Sequence, residues 1–206
     1  MSDRASPRLA PLPREAMGDD ERQALAAAFT DAGADRLLTS GPDAAPMPNV
    51  LATLMHHPTL AGPFLVYNNV LLRSPTLDPR LRELMILRVA WRTGSAYEWA
   101  QHLRIAAGIG ITAEEIDAVA HGTDGFAWPA LDADVLAAVD ELVDGYRVGD
   151  DTWARLRAQL DERQLVELVF VVGTYTGLAM AFNSFGLELD ADLPTTPAPP
   201  ANDTEE

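Results

Sequence analysis

The sequence predicts an all-α fold, on three observations. Apolar residues recur at three- and four-residue spacing from about residue 19 to residue 190, the period of helices with one buried face. Helix start and stop signals punctuate that pattern from end to end. No segment alternates apolar and polar residues convincingly enough for a half-buried strand.

The elements follow in order. Asp19-Asp20 opens a helix to about Ala32, because carboxylates favour the positive end of a helix dipole. Pro48 opens a segment through His57, and a further helix runs from about Leu60 to Arg73. Pro79 suits a first helical turn, where its missing N–H is not needed, ahead of Arg80 to Arg92. Ser95-x-x-Glu98 has the form of a capping box, with Gly108 as the stop. Thr112-x-x-Glu115 repeats the device, and that helix ends at His121-Gly122. Later helices are expected from Asp132 to about Tyr146, Asp151 to Leu160, and Asp161 to Phe185, the last stopped by Gly186. Residues 1–18 read as a flexible arm, 19–190 as a single all-α domain, and 191–206 as a disordered, acidic, Pro-rich tail.

Composition narrows the function. The chain has 206 residues, 48% of them hydrophobic and 22% charged. Those proportions fit a globular protein with a substantial core. The net charge of −16 argues against nucleic acid and against an anionic membrane surface as partners. No apolar leader is visible near the N-terminus, and the apolar run from Leu168 to Phe182 is short and broken by Gly173, Thr174, Tyr175, Thr176 and Gly177. It reads as a buried helix, and the cytoplasm is the expected compartment. Every one of the 15 basic residues is arginine. Schiff-base and pyridoxal-phosphate chemistry, which need a lysine amine, are therefore excluded. The four histidines, at 56, 57, 102 and 121, form no recurrent metal spacing, and neither metal nor cofactor is expected.

The residues least like ordinary packing lie between Glu83 and His102. Glu98 and His102 are i and i+4 on one helix and share a face. Glu83 lies on the preceding helix, and a hairpin turning near Thr93-Gly94 folds it back beside them. Two carboxylates and an imidazole converging in an apolar setting are equipment for proton transfer. The bland alternatives are specific. A capping box explains Ser95 and Glu98 without chemistry, and a helix N-terminus would keep Glu98 ionised, suited to a base or a positioning group rather than an acid. Glu83 has Arg80, Arg82, Arg88 and Arg92 as potential ion-pair partners. Tyr97 and Trp99 flank Glu98 and suit either core packing or substrate contact, and the Tyr97 hydroxyl or Arg88 could stabilise an oxyanion. In the last helix, Asn183 is a polar group in an apolar run and a candidate pocket contact. His56-His57 and His121 end helices, where a cationic ring is favoured.

The run from Arg82 to Gly122 resembles the carboxymuconolactone decarboxylase superfamily, which includes the alkyl hydroperoxidase D proteins. The peroxidase branch carries Glu-x11-Cys-x2-Cys-x3-His. Here the frame is Glu83-x11-Ser95-x2-Glu98-x3-His102, with the outer residues kept and both cysteines replaced. The resemblance extends over about residues 45–190. It implies a helical bundle of that superfamily type, assembled as a homo-oligomer, a trimer or hexamer, and it places Tyr97 where the peroxidase branch commonly has a relay histidine. With no cysteine in the chain, the thiol–disulfide cycle of that branch cannot run.

These readings lead to an expected function: a cofactor-independent lyase or isomerase acting on a small carbonyl acid or lactone. His102 shuttles the proton, Glu83 orients it, Glu98 completes the catalytic set, and Tyr97, Arg88, Ser95, Trp99 and Asn183 are candidate substrate contacts. The alternatives are a non-catalytic small-molecule-binding or assembly protein on the same scaffold, and a peroxidase-like oxidoreductase.

Overall fold

The computed structural model describes residues 6–41, 44, 46–73, 75–193 and 199. Among these residues all regular structure is helical: α1 (Asp19–Leu38), α2 (Asn49–Leu54), α3 (Pro58–Arg73), α4 (Pro79–Thr93), α5 (Ala96–Gly108), α6 (Ala113–Val119), α7 (Ala130–Gly145), α8 (Asp150–Arg157) and α9 (Glu162–Phe185), with one 3-10 turn at Arg14–Ala16. The all-α expectation holds, and the predicted helices fall where the start and stop signals put them. One difference lies inside α1. Thr30 leaves helical geometry at φ 68°, so a first segment ends near the predicted Ala32 and a second continues to Leu38.

Two compact units divide the chain. The first comprises residues 1–74 with Ser184–Asp190, and the second comprises Pro75–Asn183 with the residues after Asp190. In the first, α1, α2 and α3 close around Leu25, Ala34, Leu51, Met55, Ala61 and Leu65. Part of the segment expected to be a flexible arm is tied down here. The Arg8 and Leu9 amides donate to Phe185 O at 2.8 and 3.0 Å, and the Leu12 amide donates to Ala52 O at 3.1 Å. Residues 1–5 and most of the expected tail lie outside the described residues. His56 donates through Nε2 to Ala10 O at 2.9 Å, a structural use.

In the second unit α4 is the central element. Residues 81–90 are all buried, including Arg82, Glu83 and Arg88, so no face of this stretch meets solvent. Asp78 caps its start by accepting from the Arg80 amide at 2.8 Å. Pro79 occupies the first turn, where no N–H is needed. Gly94, at φ 66°, ends α4 and turns the chain into α5. Glycine supplies that left-handed conformation without a steric penalty. The core joins Leu84, Leu87 and Ala90 of α4 to Trp99 and Ala106 of α5, Val119 of α6 and Leu136 of α7. Ion pairs fix the same packing. Arg80 reaches Glu115 at 2.7 Å and Asp132 at 2.8 Å, joining α4 to α6 and α7.

The last helix is two-sided. Leu165, Leu168, Val171, Val172, Tyr175, Ala179 and Phe182 are buried, whereas Val166, Val169, Phe170 and Met180 are exposed. The expectation of a wholly buried helix is therefore met on one face only. By length and composition α9 would also suffice to cross a membrane, which is weak evidence in a helix of this kind.

Candidate functional site

Ser95 at the N-cap and Glu98 and His102 on α5 sit three and four positions apart, so they form one ridge, and His102 on that ridge meets α4. The hairpin at Gly94 brings Glu83 across to it. His102 Nδ1 and Glu83 Oε2 are 2.6 Å apart. Both side chains are buried, Glu83 at 0% and His102 at 7% exposure. An ionised carboxylate only accepts hydrogen bonds, so Nδ1–H is the donor, and Nε2 is the nitrogen left to exchange a proton. The other Glu83 oxygen accepts from Arg82 Nε at 2.9 Å.

Burial by itself would raise the Glu83 pKa. The hydrogen bond from His102 and the charges of His102 and Arg82 outweigh it and hold the group below the ordinary carboxylate range. The Tyr175 ring of α9 meets the imidazole edge-on, with centroids 5.1 Å apart at 87°. Burial pushes the Tyr175 hydroxyl up, and so do Glu83 and Glu98, both of which are ionised at the high pH where a tyrosine would lose its proton. Tyr175 is thus within electrostatic reach of both carboxyl groups.

Glu98 departs from expectation. Ser95 holds the N-cap position of α5 but makes no side-chain capping bond, so the capping box does not form. Ser95 Oγ and both Glu98 carboxyl oxygens are buried, at 0% and 2% residue exposure, and neither side chain reaches a hydrogen-bond partner beyond the other. Burial pushes the Glu98 pKa up to about 8, and the nearby Ser95 hydroxyl opposes this without overcoming it. Glu98 is therefore a neutral acid at pH 7, which corrects the expectation of an ionised base. Each unsatisfied buried polar group costs about 1–3 kcal/mol. Ligand-binding sites carry a cost of that kind, and here it falls on two residues of one turn.

The other candidates are placed elsewhere. Arg88 does not join the dyad. Its Nε and Nη2 donate to the two Asp140 oxygens at 2.7 and 2.9 Å, and its Nη1 donates to Val119 O and Ala120 O at 2.9 and 2.8 Å. A β-carbon at Gly122, itself at φ 68°, would stand 2.8 Å from that guanidinium. Arg88 is thereby locked as a strut between α4, α6 and α7. Tyr97 points to another side of α5. Its ring packs edge-on against Phe182, and its hydroxyl accepts from Gln101 at 3.0 Å. Trp99 belongs to the apolar core, tilted against Trp91 at 5.3 Å, with its indole N–H buried and without a partner. Asn183 is exposed and donates to Thr93 O at 2.8 Å, closing the end of α4.

Sequence reasoning missed Tyr175 as a neighbour of the imidazole. The signal for it was weak: an aromatic hydroxyl interrupting an aliphatic helix far along the chain. Two cavities, of about 410 and 650 Å³, are lined by other residues, one by Asp117, His121 and Phe126 and the other by Gln23, Pro63 and Tyr67. Among the described residues no cluster of His, Asp or Glu is arranged to hold a metal ion.

Comparison with known proteins bears on the fold that carries this geometry. Residues 58–141 match the carboxymuconolactone decarboxylase family model. No curated protein sequence matches the chain. Among solved structures, a peroxidase-related protein with an alkylhydroperoxidase AhpD core from Ralstonia eutropha superposes with a TM-score of 0.70 at 19% identity, covering 91% of this chain and 95% of that one. An uncharacterised peroxidase-related protein from Silicibacter gives 0.72 at 14% identity, covering 93% and 96%. A variant of the debrominase Bmp8, in complex with 2,3,4-tribromopyrrole, gives 0.67 at 12% identity, covering 89% and 91%. At such identities the shared property is the fold. The chain is thus similar to the carboxymuconolactone decarboxylase family over residues 58–141, shares an AhpD-like fold, and contains no cysteine and so no Cys-x-x-Cys pair.

Proposed function

We propose that this chain is a cofactor-independent lyase or isomerase that moves a proton on a small carbonyl acid or lactone, with His102 as the acid–base group. The observation that carries the reading is the buried 2.6 Å contact between His102 Nδ1 and Glu83 Oε2. It fixes the ring and its tautomer, leaves Nε2 as the nitrogen for proton exchange, and gives the imidazolium a counter-ion when it forms. In an isomerisation, His102 removes a proton beside a carbonyl and returns it at another carbon. In a decarboxylation, the bond to the carboxylate breaks and CO2 leaves. The electron pair enters the conjugated carbonyl, and His102 protonates the resulting dienolate.

Thiol chemistry has no place in this reading, because the chain contains no cysteine to attack a peroxide. The debrominase among the structural neighbours supports a fold that hosts chemistry on small rings, without naming the reaction here. Phe170 and Met180 of α9 are 53% and 61% exposed. Apolar surface of that kind supports self-association, which light scattering at micromolar concentration tests.

The functional test is hydrogen–deuterium exchange in D2O, with CO2 release followed in parallel, over a panel of small keto acids, unsaturated acids and lactones. Wild type exchanges a carbon-bound proton of at least one compound and His102→Gln does not. Equal exchange by the two proteins, or none by wild type across the panel, overturns the proposal.

A further inference from the structure

The first turn of α5 holds two polar groups that the dyad leaves unused. Ser95 Oγ and the Glu98 carboxyl are buried, close on one ridge with His102, and without hydrogen-bond partners outside the pair they form. We propose that Glu98 and Ser95 together bind the carbonyl oxygen of the substrate and hold it as the oxyanion that forms when His102 takes the neighbouring proton. This rests on the proton-transfer reading above and narrows the substrate to an enolisable ketone, ester or lactone whose carbonyl oxygen is the buried end.

Several observations support the pair. A carbonyl oxygen has two lone pairs and accepts two donors, and the site supplies a hydroxyl and a carboxyl. The carboxyl donates only if it is protonated, and burial keeps it so at neutral pH. A neutral acid in an apolar setting gives a short, strong hydrogen bond to developing negative charge and needs no rearrangement when that charge appears. The charged and titratable neighbours are consistent with this state. Glu83 carries a negative charge on α4, paired with Arg82 and hydrogen-bonded by His102 Nδ1–H, and Tyr175 on α9 stays protonated within reach of both carboxyl groups. An ionised Glu98 would stand in the same electrostatic neighbourhood as Glu83 with no partner of its own.

The step balances without a co-reactant. The C–H bond breaks and its proton goes to His102 Nε2. The C–H electron pair becomes the new C=C bond, and the carbonyl π pair moves onto the oxygen held by Glu98 and Ser95. Return of the proton reverses these movements at the same or a conjugated carbon.

The test uses 4-nitrophenolate, a planar oxyanion whose absorbance reports hydrogen bonding, with the full-length protein. Isotope-edited infrared spectroscopy reads the Glu98 carboxyl directly as the difference between wild type and Glu98→Gln. Wild type is expected to bind the probe at pH 7 and to show a protonated carboxyl absent from the variant. Glu98→Leu should weaken binding by about tenfold or more, the loss of one charge-assisted hydrogen bond. Glu98→Gln, whose amide still donates, should retain most of the affinity. Probe binding that depends on Glu98, in a protein that exchanges no carbon-bound proton, supports the binding pair while sinking the proton-transfer reading. Absence of binding by wild type, equal binding by Glu98→Leu, or an ionised Glu98 at pH 7 overturns the pair.

Discussion

Two short segments of this chain read alike and behave in opposite ways. Thr112-x-x-Glu115 and Ser95-x-x-Glu98 both open helices of the same unit with the same spacing of hydroxyl and carboxyl. In the first, every expected bond is made. Thr112 Oγ1 accepts from the Glu115 amide at 3.2 Å, and Glu115 Oε2 accepts from the Thr112 amide at 2.8 Å. Arg80 then grips the same carboxylate, and its hydrogen bond is the main cause that holds Glu115 down to about 2, against the opposing effect of burial. In the second, none of the capping bonds is made, and burial drives the Glu98 pKa up to about 8. The spacing is the same, so the difference comes from what surrounds it. One box is scaffold. The other has given up its structural role for a buried, neutral acid beside a histidine.

If that division is right, the largest effect of any single change should fall beside the second box. His102→Gln keeps the bulk and the hydrogen bonding of the ring but cannot shuttle a proton near neutral pH. Exchange into a responsive carbonyl compound should fall by about 10²–10⁴-fold, the usual contribution of a positioned acid–base group. Thr112→Ala, at the first box, should leave that rate unchanged once folded protein is compared. A His102→Gln enzyme that turns over normally would erase the distinction between the boxes. Glu83→Gln separates two versions of the dyad, since a loss as large as that of His102→Gln would mean the two act as one unit.

The next effect is the pH dependence of stability, and the two glutamates give opposite signs. Glu98 is raised from an ordinary 4.5 to about 8 in the folded state. Between those values the folded chain binds more protons than the unfolded chain, so this group's contribution to stability falls as pH rises from 4.5 to 8 and is level beyond. The total is on the order of a few kcal/mol. Glu115 is lowered from 4.5 to about 2, so its contribution is complete above 4.5 and is lost as pH falls toward 2. Urea melts across this range should show Glu98→Gln flattening the neutral-pH slope and Glu115→Gln flattening only the acid one. A wild-type slope between pH 5 and 8 that Glu98→Gln leaves intact would show that Glu98 is not held neutral.

The fold was legible because its punctuation is local. Pro79, Gly94, Thr112 with Glu115, and Gly186 each act on the backbone within a turn of themselves, so the sequence carries their effect directly. The 19-residue interval from Glu83 to His102 was legible for a related reason: one tight turn between two helices leaves little freedom in where the side chains meet. The break at Thr30 was legible only as a helix end near Ala32, ahead of Gly33; that the helix resumes as far as Leu38 was not. Neither was the assignment of Arg88, because the partners that consume its donors, Asp140, Val119 O and Ala120 O, come from α7 and the end of α6. The directions of Tyr97, toward Phe182 and Gln101, and of Asn183, toward Thr93 O, were likewise set by the fold rather than by local pattern. The protonation state of Glu98 was the least accessible of all, because it depends on burial by neighbours remote in the chain, and a charge read from local pattern takes no account of that.

A smaller effect is expected at the intact box itself. Thr112→Ala removes a cap that is made, so stability should fall by about 1 kcal/mol. The midpoint of thermal or urea unfolding reads this directly, and an unchanged midpoint would mean that Arg80 alone holds the start of α6.

The smallest expected effect discriminates most sharply, because it is the same substitution at the other box. A serine at an N-cap usually contributes about 0.5–2 kcal/mol through its bond to a backbone amide. Ser95 makes no such bond, so Ser95→Ala has no cap to remove. It takes away a buried hydroxyl without a partner. Stability should then change by less than about 0.5 kcal/mol, or rise slightly. The same variant should nevertheless weaken 4-nitrophenolate binding several-fold, since the hydroxyl is half of the proposed oxygen site. Stability held while ligand binding falls is the opposite of what a cap would give. If Ser95→Ala instead destabilises the protein as much as Thr112→Ala and leaves probe binding untouched, the two boxes are the same structural device and the comparison between them collapses.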